Sequence, residues 1–187
     1  GDGSRELSDA DIITDFTDGS DVLGLADLQY TGLTIAQGTD SYSNDTVVSI
    51  TETSEKLVIL QGISASNINY LDFASTATGN QSFTGTTGDD VFIGAAGIDT
   101  VTTNTGTDVI LTSSGDDVIT VDGTGNKTID GGTGTDSLNI SSISNLSSAS
   151  ELILANDGTS FTITLSDGSV ISTSNLEDFK VSGVDYG

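Results

Sequence analysis

Cysteine, histidine, proline, methionine and tryptophan are all missing from this chain of 187 residues. Without cysteine there is no disulfide scaffold and no thiolate metal site. Without histidine there is no imidazole ligand and none of the usual serine or cysteine triads. Basic side chains are scarce as well: 4 Lys and Arg stand against 28 Asp and Glu, for a formal charge of −24. That field repels phosphate backbones and anionic membranes, which excludes nucleic acid as a partner and favours cations. No apolar run reaches about 18 residues and no basic n-region precedes an h-region, so neither membrane insertion nor a conventional signal peptide is expected. Export would then need another route or a leader outside this sequence.

Apolar residues make up 34% of the chain. That supports a core only in a thin, regular architecture. The richness in Gly, Ser, Thr and Asp is otherwise typical of disorder, but Val, Ile, Leu and Phe recur at regular places. Counter-ions are one factor that would favour the ordered state.

Internal repeats explain that regularity. From Thr76 the chain divides into nonamers: TATGNQSFT, GTTGDDVFI, GAAGIDTVT, TNTGTDVIL, TSSGDDVIT and, after one extra residue at Val121, DGTGNKTID and GGTGTDSLN. Place four is always glycine (Gly79, Gly88, Gly97, Gly106, Gly115, Gly125, Gly134). Place eight is always large and apolar (Phe83, Phe92, Val101, Ile110, Ile119, Ile129, Leu138). Glycine tolerates positive φ and turns the chain, and the three residues that follow the turn form a short strand with one side chain inward. Two nonamers then make one flattened coil with turns on alternate sides, so repeats i and i+2 stack.

Place six carries the chemistry: Gln81, Asp90, Asp99, Asp108, Asp117, Lys127 and Asp136. Stacking puts Asp90, Asp108 and Lys127 in one column and Gln81, Asp99, Asp117 and Asp136 in the other. Two stacked carboxylates with turn carbonyls make a cage of hard oxygens that suits Ca²⁺ better than Mg²⁺, which keeps its waters. Three complete pairs result: Asp90 with Asp108, Asp99 with Asp117, and Asp117 with Asp136. Three Ca²⁺ would carry the charge from −24 to about −18, a gain tied to folding because the unfolded chain has no cages. The competing reading is that Asp and Gly are here only as turn formers; it leaves the fixed place of the aspartate unexplained.

GTTGDDVFI, GAAGIDTVT and TSSGDDVIT resemble the GGxGxDxUx nonapeptides of the RTX (repeats-in-toxin) proteins, over residues 85–139. The resemblance implies a calcium-bound parallel β-roll. It also implies type I secretion from a Gram-negative or cyanobacterial cell, with folding triggered by calcium outside. Several glycines at places one and two are replaced, and Gln81 and Lys127 break the aspartate columns.

The flanks are expected to be caps. DIITDFTDGSDVLGLADL, at residues 11–28, resembles the segment that commonly follows RTX arrays. It offers Gly19, Asp21 and Leu23 at places four, six and eight, which adds Asp21 to the candidate metal ligands. NDTVVSITETSEKLVILQG reads as two strands around a TSEK turn. The C-terminal stretch repeats this order: GTDSLNI answers GSDVLGL, FTITLSDGSVI answers VVSITETSEKLVI, and ISTSNLEDF answers ISASNINYLDF with two residues removed. NDG at 156–158 and SDG at 166–168 are hairpin turns. The fold class expected is therefore all-β, a parallel β-roll flanked by short antiparallel β caps. Its parts are an N-terminal cap with the tail of a preceding array (1–75), the roll (76–139) and a similar C-terminal cap (140–187). Caps cover the strand edges that an open solenoid exposes. Two similar caps fit a piece of a longer protein better than a stand-alone one.

Outward places seven and nine give one apolar face, Val91, Ile93, Val109 and Leu111, expected to be covered by a neighbouring unit or a surface partner. The opposite face, with Thr100, Thr102, Val118 and Thr120, invites an ice-binding reading, which its few threonines hardly support. Catalysis is not expected, because every clustered carboxylate belongs to a turn and no catalytic constellation accompanies it. Asp89 beside Asp90 and Asp116 beside Asp117 read as one solvent-facing group and one ligand each. The function expected is a calcium-dependent structural or adhesive module of a secreted or cell-surface protein. The alternative is the non-catalytic repeat module of a secreted enzyme. For Lys127 two readings stay open: its ammonium stands in for a calcium beside Asp108, or the Val121 insertion turns it into solvent.

Overall fold

The computed structural model describes residues 5–26, 28–140, 151–154, 159–165, 167–181 and 184–185. The chain divides into two units, Gly1–Ser75 and Thr76–Gly187. Regular structure among the described residues consists of strands and one-turn 3-10 helices, with no α-helix, and most strand pairs of the second unit are parallel. Among the described residues no helix is long and apolar enough to cross a membrane.

The first unit holds β1 (Asp11–Ile13), β2 (Leu23–Leu25), β3 (Leu33–Gln37), β4 (Thr46–Ile50), β5 (Lys56–Leu60) and β6 (Phe73–Ser75). Strands β3, β4 and β5 form an antiparallel meander. The TSEK turn joins β4 to β5, with Ser54 at φ 60 and its N–H donating to the Ile50 carbonyl at 2.8 Å. Strand β1 then adds to β5 in parallel, Ile12 opposite Ile59, and β2 pairs in parallel with β6, Leu23 opposite Phe73. The apolar faces of these strands bury Leu25, Val48, Ile59, Leu60 and Phe73.

In the second unit places seven to nine of each nonamer form the strands, joined by place six in β10 and β12, because β-branched and apolar residues follow each glycine turn. These are β7 (Ser82–Thr84), β8 (Val91–Ile93), β9 (Thr100–Thr102), β10 (Asp108–Leu111), β11 (Val118–Thr120), β12 (Lys127–Asp130) and β13 (Ser137–Asn139). Successive strands alternate between two sheets: β8, β10 and β12 stack in one, and β7, β9, β11 and β13 in the other. Place eight faces the space between the sheets. Phe92, Val101, Ile110, Ile119, Ile129 and Leu138 are each at most 1% exposed, so each contributes about 1.5–3 kcal/mol of burial. Phe83 stacks on Phe92, with ring centroids 5.1 Å apart.

The extra residue at Val121 leaves the register intact. Val109 pairs with Val91 on one side and Thr128 on the other, and Val118 with Thr100 and Ser137. Val121 is accommodated by turning inward: it is fully buried, and its N–H reaches the Asn139 carbonyl at 2.9 Å.

Strands β14 (Glu151–Leu154), β15 (Phe161–Thr164), β16 (Val170–Ser174), β17 (Asp178–Val181) and β18 (Val184–Asp185) continue the same two sheets. An antiparallel β14–β15–β16 meander joins β12 in parallel through β16, while β17 pairs in parallel with β13 and antiparallel with β18. The turn expected at 156–158 lies outside the described residues. Of the one at 166–168, Gly168 takes φ 87 between the antiparallel β15 and β16. The pairing scheme of β1 to β6 thus recurs in β12 to β17, strand for strand.

Candidate metal centre

Stacking by coils forces the place-four glycines. Gly97, Gly106, Gly115, Gly125 and Gly134 all have φ between 101 and 148, which L side chains rarely adopt. A Cβ on Gly106 would strike the Gly88 carbonyl, one on Gly115 that of Gly97, and one on Gly134 that of Gly115. Without a Cβ at place four the turns stack at backbone contact, Gly88, Gly106 and Gly125 on one side and Gly97, Gly115 and Gly134 on the other.

Place six then falls inside the stack. Asp90, Asp99, Asp108, Asp117 and Asp136 are all buried, between 0% and 6% exposed. Each Oδ1 below the first coil accepts the place-six backbone N–H of the coil before it. Gln81 N–H donates to Asp99 at 2.7 Å, Asp90 to Asp108 at 3.0 Å, Asp99 to Asp117 at 2.7 Å and Asp117 to Asp136 at 2.8 Å. The short aspartate side chain makes this reach on the inside of each glycine turn. The neighbouring Asp89 and Asp116 are exposed and each accept a turn N–H of the next coil, from Thr107 at 2.8 Å and Thr135 at 2.9 Å.

The second oxygen, Oδ2, separates the turns into two kinds. In Asp90 and Asp99 it accepts the N–H four residues back, from Thr86 at 2.7 Å and Ala95 at 2.9 Å. In Asp108, Asp117 and Asp136 the corresponding residue is Asn104, Ser113 or Gly132, each at positive φ (63, 76 and 85), and its N–H no longer reaches. The Oδ2 atoms of Asp117 and Asp136 are therefore buried without a hydrogen-bond partner. Burial raises the pKa of both carboxyls, Asp136 to about 6, and the neighbouring carboxylates push the same way.

Asp108 is buried in the same way, which raises its pKa, but Lys127 works against the shift. Of the two readings of Lys127, the structure selects the cation. Its ammonium is buried with the carboxylate, 3.1 Å from Asp108 Oδ2. It also donates to the carbonyls of Gly106 at 2.7 Å, Thr124 at 3.0 Å and Gly125 at 3.4 Å. Four oxygens thus converge on one positive charge. Solvent exposure, the other reading, fails because β12 stays in register with β10 despite the insertion.

One repeat further on, the oxygens at the same places are the carbonyls of Gly115, Thr133 and Gly134 and Oδ2 of Asp117, with Asp136 where Lys127 stands. An orphaned buried carboxylate oxygen, hard donors only and glycines that keep the cradle open fit a calcium ion. Among the described residues no three carboxylates converge on one point, so turn carbonyls have to supply the remaining ligands. Asp99 and Asp117 frame a similar set, and so do Asp90 and Asp108, although Lys127 already engages Asp108 Oδ2 and the Gly106 carbonyl.

Asp21 stands apart. It is exposed, and its Oδ2 accepts the Thr17 N–H at 2.8 Å, the same four-residue closure as in Asp90 and Asp99. No carboxylate is stacked on it among the described residues, because β2 pairs only with β6 there. The ladder instead gains a member the nonamer pattern missed. Glu177 Oε2 accepts the Asp136 N–H at 2.8 Å, the bond that Asp99, Asp108, Asp117 and Asp136 make to the coil before. Its signal was an acid two residues before the inward Phe179, as Asp136 stands two before Leu138, but without a glycine turn ahead of it.

Residues 78–119 match the family model of the RTX calcium-binding nonapeptide repeat, in four copies. That span contains Asp90, Asp99, Asp108 and Asp117; Lys127 and Asp136 follow it. Over residues 78–119 the chain is therefore similar to RTX calcium-binding repeats. Compared with curated proteins, it matches none.

Proposed function

We propose that this chain is a calcium-dependent structural or adhesive module of a secreted or cell-surface protein, and that residues 76–139 form a β-roll that sets on binding Ca²⁺ outside the cell. Asp90 with Asp108, Asp99 with Asp117, and Asp117 with Asp136 hold the ions, each pair completed by turn carbonyls. The module is not itself catalytic; its carboxylates serve ion binding and turn closure.

The observation that carries this reading is the Lys127 ammonium within reach of four oxygens, in a stack where Asp90, Asp99, Asp108, Asp117 and Asp136 are buried carboxylates. Left ionised and uncompensated, such buried groups cost several kcal/mol each. Calcium removes that cost and couples ion binding to folding. A cage of this kind fills where calcium is abundant, as it is outside the cell.

Circular dichroism during a calcium titration of the chelator-treated protein tests the reading. A calcium-driven rise of the β signal is expected, with magnesium far less effective. A spectrum indifferent to calcium would sink it.

A further inference from the structure

After the nonamers the stack ends on an acid that none of them supplies. Strand β17 follows β13 in register, Ser137 opposite Asp178, so Glu177 stands to Asp136 as Lys127 stands to Asp108. The turn ahead of it, Asn175 to Glu177, is half the length of a nonamer turn. Asn175, at φ 51, bends the chain without a glycine, which asparagine tolerates. Leu176 is buried, and its N–H donates to the Thr159 carbonyl at 2.9 Å. This anchor sets Glu177 beside Asp136, whose N–H it accepts through Oε2.

At the equivalent point of the other column the chain supplies a cation. Lys127 reaches Asp108 Oδ2 from the following coil, at 3.1 Å. Asp136 has its own Oδ2 fully buried and without a hydrogen-bond partner, but what the following coil brings is a second carboxylate. Glu177 and Asp116 both add to the negative potential at Asp136, while Lys180 on β17 engages Asp178 at 3.0 Å. A buried carboxylate among other acids calls for a compensating charge. Gly131 keeps room for one, because a Cβ there would strike the Asn175 carbonyl and Asp136 Oδ2 together.

We propose a calcium site at this last coil, outside the nonapeptides, in which Asp136 Oδ2 and the Glu177 carboxylate hold one ion in the space bordered by the Asn175 carbonyl. Glu177 is exposed, so water completes the roughly six to eight oxygens that calcium takes. The ion ties the β13 coil to the turn before β17 and fastens the C-terminal strands to the array. The premise is that the stacked carboxylates of the array are themselves calcium cages.

Glu177→Gln is the discriminating variant, since its amide oxygen still accepts the Asp136 N–H while the charge is gone. Native mass spectrometry of the full chain at saturating calcium should count one ion fewer in Glu177→Gln than in the unsubstituted chain. Asp136→Asn should lose two, because Asp136 serves this site as well as the pair with Asp117. In the unsubstituted chain the amide resonances of Glu177 and Asp178 should shift on calcium addition, and Glu177→Gln should lose most of that shift. A full count in Glu177→Gln, or the loss of a single ion in Asp136→Asn, overturns the site and leaves the array cages standing. Should a substitution unfold the stack, the unsubstituted chain decides: amides of Glu177 and Asp178 that ignore calcium overturn the site. An unsubstituted chain that takes up no calcium overturns the cages of the array first, so the count before any substitution separates the two failures.

Discussion

Lys127 fills one cage with a charge that the chain itself supplies, so replacing it changes how many ions the stack takes. Lys127→Asp restores a carboxylate opposite Asp108, and the calcium count at saturation should rise by one; calorimetry or native mass spectrometry reads it. Lys127→Met leaves Asp108 buried beside an empty cage, and a loss of about 3–5 kcal/mol in denaturant unfolding is expected, the usual result of removing one partner of a buried pair. Asp117 belongs to two of the three pairs and Asp90 to one. Asp117→Asn should therefore lose two ions and Asp90→Asn one. An equal loss from both would show that the ions do not sit between stacked coils. The Oδ2 atoms of Asp117 and Asp136 have no hydrogen-bond partner, whereas those of Asp90 and Asp99 already share a lone pair with a backbone N–H. Filling should start at the Asp117–Asp136 pair.

Among the elements, the turn decides everything and place two is its weakest point. Asn104 and Ser113 stand at φ 63 and 76 where Gly123 and Gly132 stand elsewhere. A left-handed backbone costs an L residue about 1–2 kcal/mol, and asparagine tolerates it better than serine. Ser113→Gly should accordingly gain about 1 kcal/mol in thermal or denaturant unfolding. Gly115→Ala should lose at least about 1–3 kcal/mol, since its Cβ would meet the Gly97 carbonyl at φ 136. Gly79→Ala is the control, with nothing within 4 Å of its Cβ. This is also the scale at which the sequence is most legible. A glycine at place four and an apolar residue at place eight give turn, strand, inward side chain and the pairing of alternate repeats, because both rules are local. Effects that depend on the neighbouring coil escape it. Val121 is buried at no cost in register, Ser113 flips a backbone N–H away from Asp117, and Glu177 joins the ladder after a three-residue turn without glycine. The nonamer pattern also makes Asp21 a candidate ligand, and what stacks on it lies beyond the reach of a local pattern.

For the whole molecule, −24 formal charges and a row of buried carboxylates tie stability to protons and calcium in opposite senses. Asp136 has its pKa raised from 3.8 to about 6 in the folded chain, and Asp108 and Asp117 shift in the same direction. Without calcium the folded state therefore holds protons that the unfolded chain has released. This contribution is fully present below about pH 4 and is lost as pH rises through about 6. The chelated protein should melt at a higher temperature at pH 4.5 than at pH 7.5, the reverse of a protein held by salt-bridged carboxylates. Calcium needs the same groups ionised, so its binding must expel those protons, and its apparent affinity should climb as pH rises across that window. Melting curves with calcium and with chelator should thus converge toward pH 4.5 and separate toward pH 7.5, with proton release on calcium addition greatest near pH 5. Parallel curves at all pH values would mean that the buried carboxylates and the ion do not share a site. Added monovalent salt should narrow the gap only partly. It screens the exposed acids across a Debye length of about 10 Å at 0.1 M, but it does not reach side chains that are at most 1% exposed, such as Asp108, Asp117 and Asp136.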